Sequence, residues 1–98
     1  MKINIFEDNG TPVIAPEGKI DHVTVNEFES KINELGEKHD SLILDMAGVE
    51  YVSSAALRAI LNASDMLESK NGLVLKNVNN KVMEIFNITR FSDYLDIR

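Results

Sequence analysis

Tyr51-Val52-Ser53-Ser54-Ala55-Ala56-Leu57-Arg58 sets two adjacent serines where a hydrophobic, β-type segment gives way to a strongly helix-forming one. A serine in that position lies beside free backbone N–H groups and the positive end of a helix dipole, so a phosphate on its hydroxyl is locally stabilised. Serine is also among the preferred N-cap residues, worth about 1 kcal/mol there, and capping is the plain structural reading of both Ser53 and Ser54. Neither has the Glu or Gln three positions on that completes a capping box, since Ala56 and Leu57 stand there. Ala55 and Ala56 leave the first turn without bulky side chains, which lets another protein approach closely.

Upstream, Ser41-Leu42-Ile43-Leu44-Asp45-Met46 is a nearly continuous apolar run, expected of a strand covered on both faces or central in a sheet. After Gly48, Val49 to Val52 crosses to the serines. Downstream, a helix is expected over Ser54 to Ser69, with Leu57, Ile60, Leu61 and Leu67 inward and Arg58, Asn62, Asp65 and Ser69 on a polar stripe. Asn71-Gly72 ends it.

Near the start, Ile3 and Ile5, then Asp8-Asn9-Gly10, then Val13 to Ala15 read as an antiparallel hairpin, because Asn-Gly supplies the positive φ angles of a tight turn. Pro12 and Pro16 donate no ladder hydrogen bond, so they belong near the ends of the second strand or where its N–H side is unpaired. Gly18-Lys19-Ile20-Asp21 leads to a first helix at Thr24, where Thr24-Val25-Asn26-Glu27 forms a capping box and Val23 staples onto Phe28. Val25, Phe28, Ile32 and Leu35 recur at helical spacing, and Glu27/Lys31 and Glu34/Lys38 are i,i+4 pairs for the wet face. Leu73 to Leu75 makes a fourth strand, and Asn79 or Asn80 caps a third helix carrying Val82, Ile85 and Phe86. A last short strand falls within Asp93 to Ile97. The order β-β-α-β-α-β-α-β implies an α/β domain with a mixed sheet, its parallel pairs joined by right-handed helical crossovers.

Ninety-eight residues with 44% hydrophobic content suit one compact domain over residues 1–98, with no room for a catalytic and a binding domain side by side. No apolar run is long enough for a signal peptide or a membrane span, so the expectation is a cytoplasmic chain with no direct membrane insertion. The absence of cysteine excludes disulfides, thiolate nucleophiles and cysteine metal sites. Sixteen acidic against ten basic side chains give a net charge of -6, with no Lys/Arg cluster to neutralise a run of phosphates, which argues against nucleic acid as a partner.

Serine catalysis needs a base within reach, and the only histidines, His22 and His39, fall in loop or turn positions outside any G-x-S-x-G turn. No enzymatic activity is expected. No metal-ligand spacing and no phosphate-cradling glycine loop appear, so no metal or cofactor is expected either. Asp21 and Asp45 each follow an apolar run. They suggest an acid/base pair at one end of the sheet, or two strand-end aspartates bonded to loop N–H groups. Met46, Met66 and Met83 read as core filling.

Four segments, Gly18-Lys19-Ile20-Asp21, Leu44-Asp45-Met46-Ala47-Gly48-Val49, Tyr51 to Leu57, and Ile85-Phe86-Asn87-Ile88-Thr89, together resemble the STAS domain, and within it the small single-domain anti-sigma factor antagonists. The resemblance implies a mixed sheet with helices packed mainly on one face. It implies partner switching: the unphosphorylated antagonist binds an anti-sigma factor that is also a serine/threonine kinase of the histidine-kinase-like ATPase fold, and phosphorylation releases it. A PP2C-type phosphatase would restore it. On the family pattern the acceptor falls on Ser54, with Ser53, the alternative acceptor, where the family usually has aspartate. Ala56 and Arg90 replace customary glycines, a change expected at the surface. The same resemblance makes Asp21, Ser53, Ser54, Ala55, Ala56 and Arg58 the partner-binding set, Asp21 matching an acidic residue that contacts the kinase. Other STAS proteins serve as subunits of ABC-type membrane transport assemblies, which is the alternative role.

Overall fold

The hairpin forms where Asn-Gly demands it. In the computed structural model, which describes residues 1–98, β1 (Lys2–Asp8) pairs antiparallel with β2 (Thr11–Ile20), and Asn9 and Gly10 take φ of 54° and 84°, both positive as a type I′ turn requires. With Asp8 opposite Thr11 closing the turn, hydrogen-bonded pairs alternate down the ladder, and Pro12, Ile14 and Pro16 direct their backbone groups away from β1. Ile14 there meets β3 (Ser41–Asp45), whereas Gly18 is the first residue of β2 to meet β4 (Val49–Val52). Pro16 occupies the gap between the two partners, where no ladder donor is needed.

The complete sheet has six strands in the order β1-β2-β3-β5-β6, with β4 beside the far part of β2. β5 (Gly72–Lys76) lies parallel to β3, and β6 (Asp96–Ile97) parallel to β5. β4 is an addition to the expected order: Val49 to Val52 is not a bare crossing but a strand parallel to β2, shifted by an irregularity at Gly18/Lys19. The helices are α1 (Val25–Lys38), α2 (Ser54–Leu67) and α3 (Asn80–Ile88), followed by a 3-10 turn at Phe91–Asp93. None is long and apolar enough to cross a membrane.

One apolar cluster joins Phe28 and Ile32 of α1, Leu57 and Ile60 of α2 and Val82 and Phe86 of α3 to Ile14, Leu44 and Leu75 of the sheet. Ile14, Leu44 and Leu75 are register partners, so the helices share one face. The opposite face carries the row Phe6, Val13, Ile43, Val74, none of them in the cluster. β3 is therefore central in the sheet but packed under helices on one side only, which leaves Ile43 half-buried. Met46 is fully buried, while Met66 and Met83 are partly covered.

The start of α1 differs from expectation. Val23 is 74% exposed and staples onto nothing, and Thr24 makes no side-chain cap. The reciprocal exchange sits three residues earlier: Asp21 Oδ1 accepts from the Thr24 N–H at 3.2 Å, and Thr24 Oγ1 accepts from the Asp21 N–H at 3.0 Å. Thr24 Oγ1 also donates to the Lys19 carbonyl at 2.8 Å, which ties the turn to the end of β2. Glu27 is thereby free to meet the Met1 amino group, and Lys31 pairs with Glu34 rather than Glu27, while the Glu34–Lys38 pair forms.

Two backbone angles give a paired test. Arg90 holds φ at 64°, a left-handed angle where a side chain costs about 1 kcal/mol, and Gly18 holds φ at 94° with open space where a Cβ would stand. Arg90→Gly should raise stability by about 1 kcal/mol in urea unfolding, and Gly18→Ala should lower it by about as much, through backbone strain alone. A loss of stability in Arg90→Gly would contradict the angle.

Candidate functional site

Parallel pairing of β4 with the end of β2 brings two loops together. Ile20 is the register partner of Val52, and the Ser53 N–H donates to the Ile20 carbonyl at 2.9 Å, so Asp21 and Ser53 leave neighbouring strands at the same end of the sheet. Beside them, Asn79 donates from Nδ2 to the Val49 carbonyl at 2.8 Å and accepts the Val82 N–H on Oδ1 at 2.9 Å. One side chain thus caps α3 and fastens it to β4. Of the two asparagines the sequence offered, Asn79 is the cap.

The two serines are not equivalent. Ser53 is the N-cap of α2, in extended backbone, with its hydroxyl accepting the Ala56 N–H at 3.2 Å and its carbonyl accepting the Leu57 N–H at 2.9 Å. Ser54 is the first residue of the helix, exposed, with a hydroxyl that makes no hydrogen bond. Ala55 and Arg58 are exposed as well. Ala56 is not: it is 0% exposed and belongs to the core cluster. Its methyl packs under the helix, so its expected place on a contact surface is corrected to an interior one. Arg90, the other position where a glycine was expected, is exposed.

Asp21 organises the opposite lip. Its carboxylate is held below the ordinary value of 3.8, first by the hydrogen bond from the Val23 N–H, with further support from Thr24 and the neighbouring His22 against an opposing desolvation. Asp45 does not join it. Asp45 Oδ1 accepts from the Ala47 N–H at 3.0 Å and from Asn77 Nδ2 at 3.1 Å, so the two aspartates serve separate turns. Neither His22 nor His39 hydrogen-bonds to a serine, and no group of three or more His, Asp or Glu side chains is placed to hold a metal ion. An open cleft of about 890 Å³ lies along this end, lined by Lys19, Asp21, His22, Tyr51, Asn79 and Lys81 among others. Tyr51, 41% exposed, is the one hydrophobic residue among those lining it, and the cleft is open rather than enclosed. Lys19, Tyr51 and Lys81 lie outside the expected site set, because only the β2–β4 pairing and the α3 cap bring them together.

Two substitutions separate the roles of the serines. Ser53→Ala should cost about 1 kcal/mol in chemical unfolding by removing the cap, whereas Ser54→Ala should stay within about 0.5 kcal/mol. Equal losses would contradict the assignment of the cap. For Asp21, a carboxylate with a lowered folded-state pKa contributes stability above its unfolded value and loses it as pH falls through the folded one. The stability gap between wild type and Asp21→Asn should therefore be full at neutral pH and shrink as the pH drops below about 4. A gap that is unchanged from pH 7 to pH 2 would show that the Asp21 charge is not what holds the turn.

A family model described as the STAS domain matches residues 2–98. A Bordetella bronchiseptica protein provisionally named anti-sigma factor antagonist BtrV is 27% identical over 93 residues, which cover 93% of this chain and 80% of that protein. Among solved structures, an anti-sigma factor antagonist from Mycobacterium paratuberculosis aligns with a TM-score of 0.90 at 18% identity, over 98% of this chain and 83% of that one. The anti-sigma factor antagonist SpoIIAA in its unphosphorylated form aligns with a TM-score of 0.80 at 19% identity, over 99% and 88%. The Bacillus SpoIIAA in its phosphorylated form gives 0.73 at 18%, over 99% and 91%. These structures speak to the fold, and the family model spans nearly every residue described above. The chain belongs to the STAS domain family.

Proposed function

We propose that this chain is an anti-sigma factor antagonist, a single-domain regulatory protein of the cytoplasm that performs no catalysis itself and acts by partner switching at Ser54. The observation that carries the reading is the division of labour between the serines: Ser53 spends its hydroxyl on the helix cap, and Ser54 presents a free one at the first position of α2. The relatives support it, since the Bordetella protein carries that name and SpoIIAA is described in unphosphorylated and phosphorylated forms. In this reading the unmodified chain binds an anti-sigma factor that is also its serine kinase, through Asp21, Ser54, Ala55 and Arg58. A phosphatase reverses the modification.

The physics asks little of the fold. A phosphate adds about -1.5 to -2 charges, and the N-terminus of α2 stabilises such a group by about 0.3–1 kcal/mol at an exposed site. A hundredfold loss of partner affinity needs only about 2.7 kcal/mol, which a dianion pressed into an interface supplies by desolvation, repulsion and steric conflict. No movement of the core is required.

Incubation with the cognate kinase and ATP should place the phosphate on Ser54. The phosphorylated chain should bind at least about a hundredfold more weakly, Ser54→Ala should bind like wild type and resist modification, and Ser54→Asp should bind more weakly. Equal binding by wild type and both variants, with no serine modified, would sink the reading.

A further inference from the structure

β1 is an edge strand whose outer side pairs with nothing. It runs seven residues, Lys2-Ile3-Asn4-Ile5-Phe6-Glu7-Asp8, in unbroken register with β2, without a proline, a bulge or a covering segment. Those are among the devices by which edges ordinarily resist addition of another strand; the charged residues of β1, Lys2, Glu7 and Asp8, stand only at its two ends. It also holds two of the exposed large apolar side chains, Ile5 at 45% and Phe6 at 51%, side by side in sequence on opposite faces of the sheet.

The ladder to β2 fixes what the free edge offers. Asp8 and Thr11 close the two-residue hairpin as a hydrogen-bonded pair, so Phe6 and Asn4 also bond to β2, and Ile3, Ile5 and Glu7 turn their N–H and C=O groups outward. We infer that β1 pairs antiparallel with β1 of a second copy of this chain about a two-fold axis at Ile5, joining two sheets into one. This inference is independent of the proposed function.

Charge and hydrogen bonding choose the same register. Centred on Ile5, each Ile3 faces the partner's Glu7 and Ile5 faces its own copy, all outward-bonding positions, which gives about six main-chain hydrogen bonds. Lys2, whose Nζ lies 3.6 Å from Glu17 of its own chain, then stands between that carboxylate and the partner's Asp8 at both ends of the ladder, an opposite-charge cross-strand pair made twice by symmetry. Shifting by two residues either way shortens the overlap and loses both charge pairs. On the open face each Phe6 lies opposite the partner's Asn4 and diagonal to the partner's Phe6, within reach of an aromatic side chain. On the helix face the two Ile5 side chains meet. The serine site lies elsewhere, since β4 joins β2 from the side that β1 does not use.

Sedimentation equilibrium and amide exchange test this on the intact chain. Between about 10 μM and about 1 mM the wild type should shift from monomer toward dimer. The amides of Ile3, Ile5 and Glu7 should gain protection with concentration, while Asn4 and Phe6, already bonded to β2, should not change. Lys2→Glu alone and Asp8→Lys alone each turn two attractions into two repulsions, and should raise the dissociation constant by about tenfold. The double variant Lys2→Glu with Asp8→Lys restores complementarity and should return it to about the wild-type value. A wild type that stays monomeric to about 1 mM overturns the inference, and so does a dimer indifferent to the charge swaps or protected at other amides.

Discussion

The hydrogen bond from the Ser53 N–H to the Ile20 carbonyl is the joint on which the candidate site depends. It extends the parallel pairing of β4 with β2 by one residue and fixes where each chain leaves the sheet. Ser53 is held extended there, which makes it an N-cap. The next residue must then open the helix. The same joint sets Asp21 beside Ser53, where the Asp21–Thr24 exchange stiffens the neighbouring turn. An exposed hydroxyl, a helix N-terminus and a rigid acidic turn are thus assembled from backbone geometry, without a buried polar group.

This arrangement would suit the proposed surface switch. The side chains below the site, Ala56, Leu57, Val52 and Ile20, are almost completely buried and apolar, so a charge added at Ser54 meets the solvent and the helix dipole rather than the core. The energies are correspondingly small on the folded side and large at an interface, where desolvation of a dianion has no compensation. Regulation of this kind needs a well-packed scaffold more than a flexible one.

Much of this was legible in the sequence for local reasons. Asn9-Gly10 demanded a hairpin, the apolar spacing of Phe28, Ile32, Val82 and Phe86 demanded helices with one buried face, and the paired serines marked the strand-to-helix break. What was not legible depended on contacts between distant residues. Val49-Glu50-Tyr51-Val52 has β-type residues but buries only its ends, so it lacks the alternation that would give it a place in the sheet, and only pairing with β2 makes it a strand. Asp21-x-x-Thr24 and Thr24-x-x-Glu27 are overlapping signals, and the first prevails because Thr24 Oγ1 is drawn to the Lys19 carbonyl. Ala56 is expected at the surface because its small side chain leaves the first turn open and the resemblance puts it in the contact set, yet it stands at the helix position that faces the core.

A phosphate on Ser54 should change a surface and leave the fold alone. The most direct test is a comparison of backbone amide resonances between the unmodified chain and the chain phosphorylated at Ser54. Shifts should be confined to Ser53 through Arg58 and the adjoining Asp21–Thr24 turn. Shifts spreading through β3 and β5, or a loss of dispersion across the sheet, would contradict it.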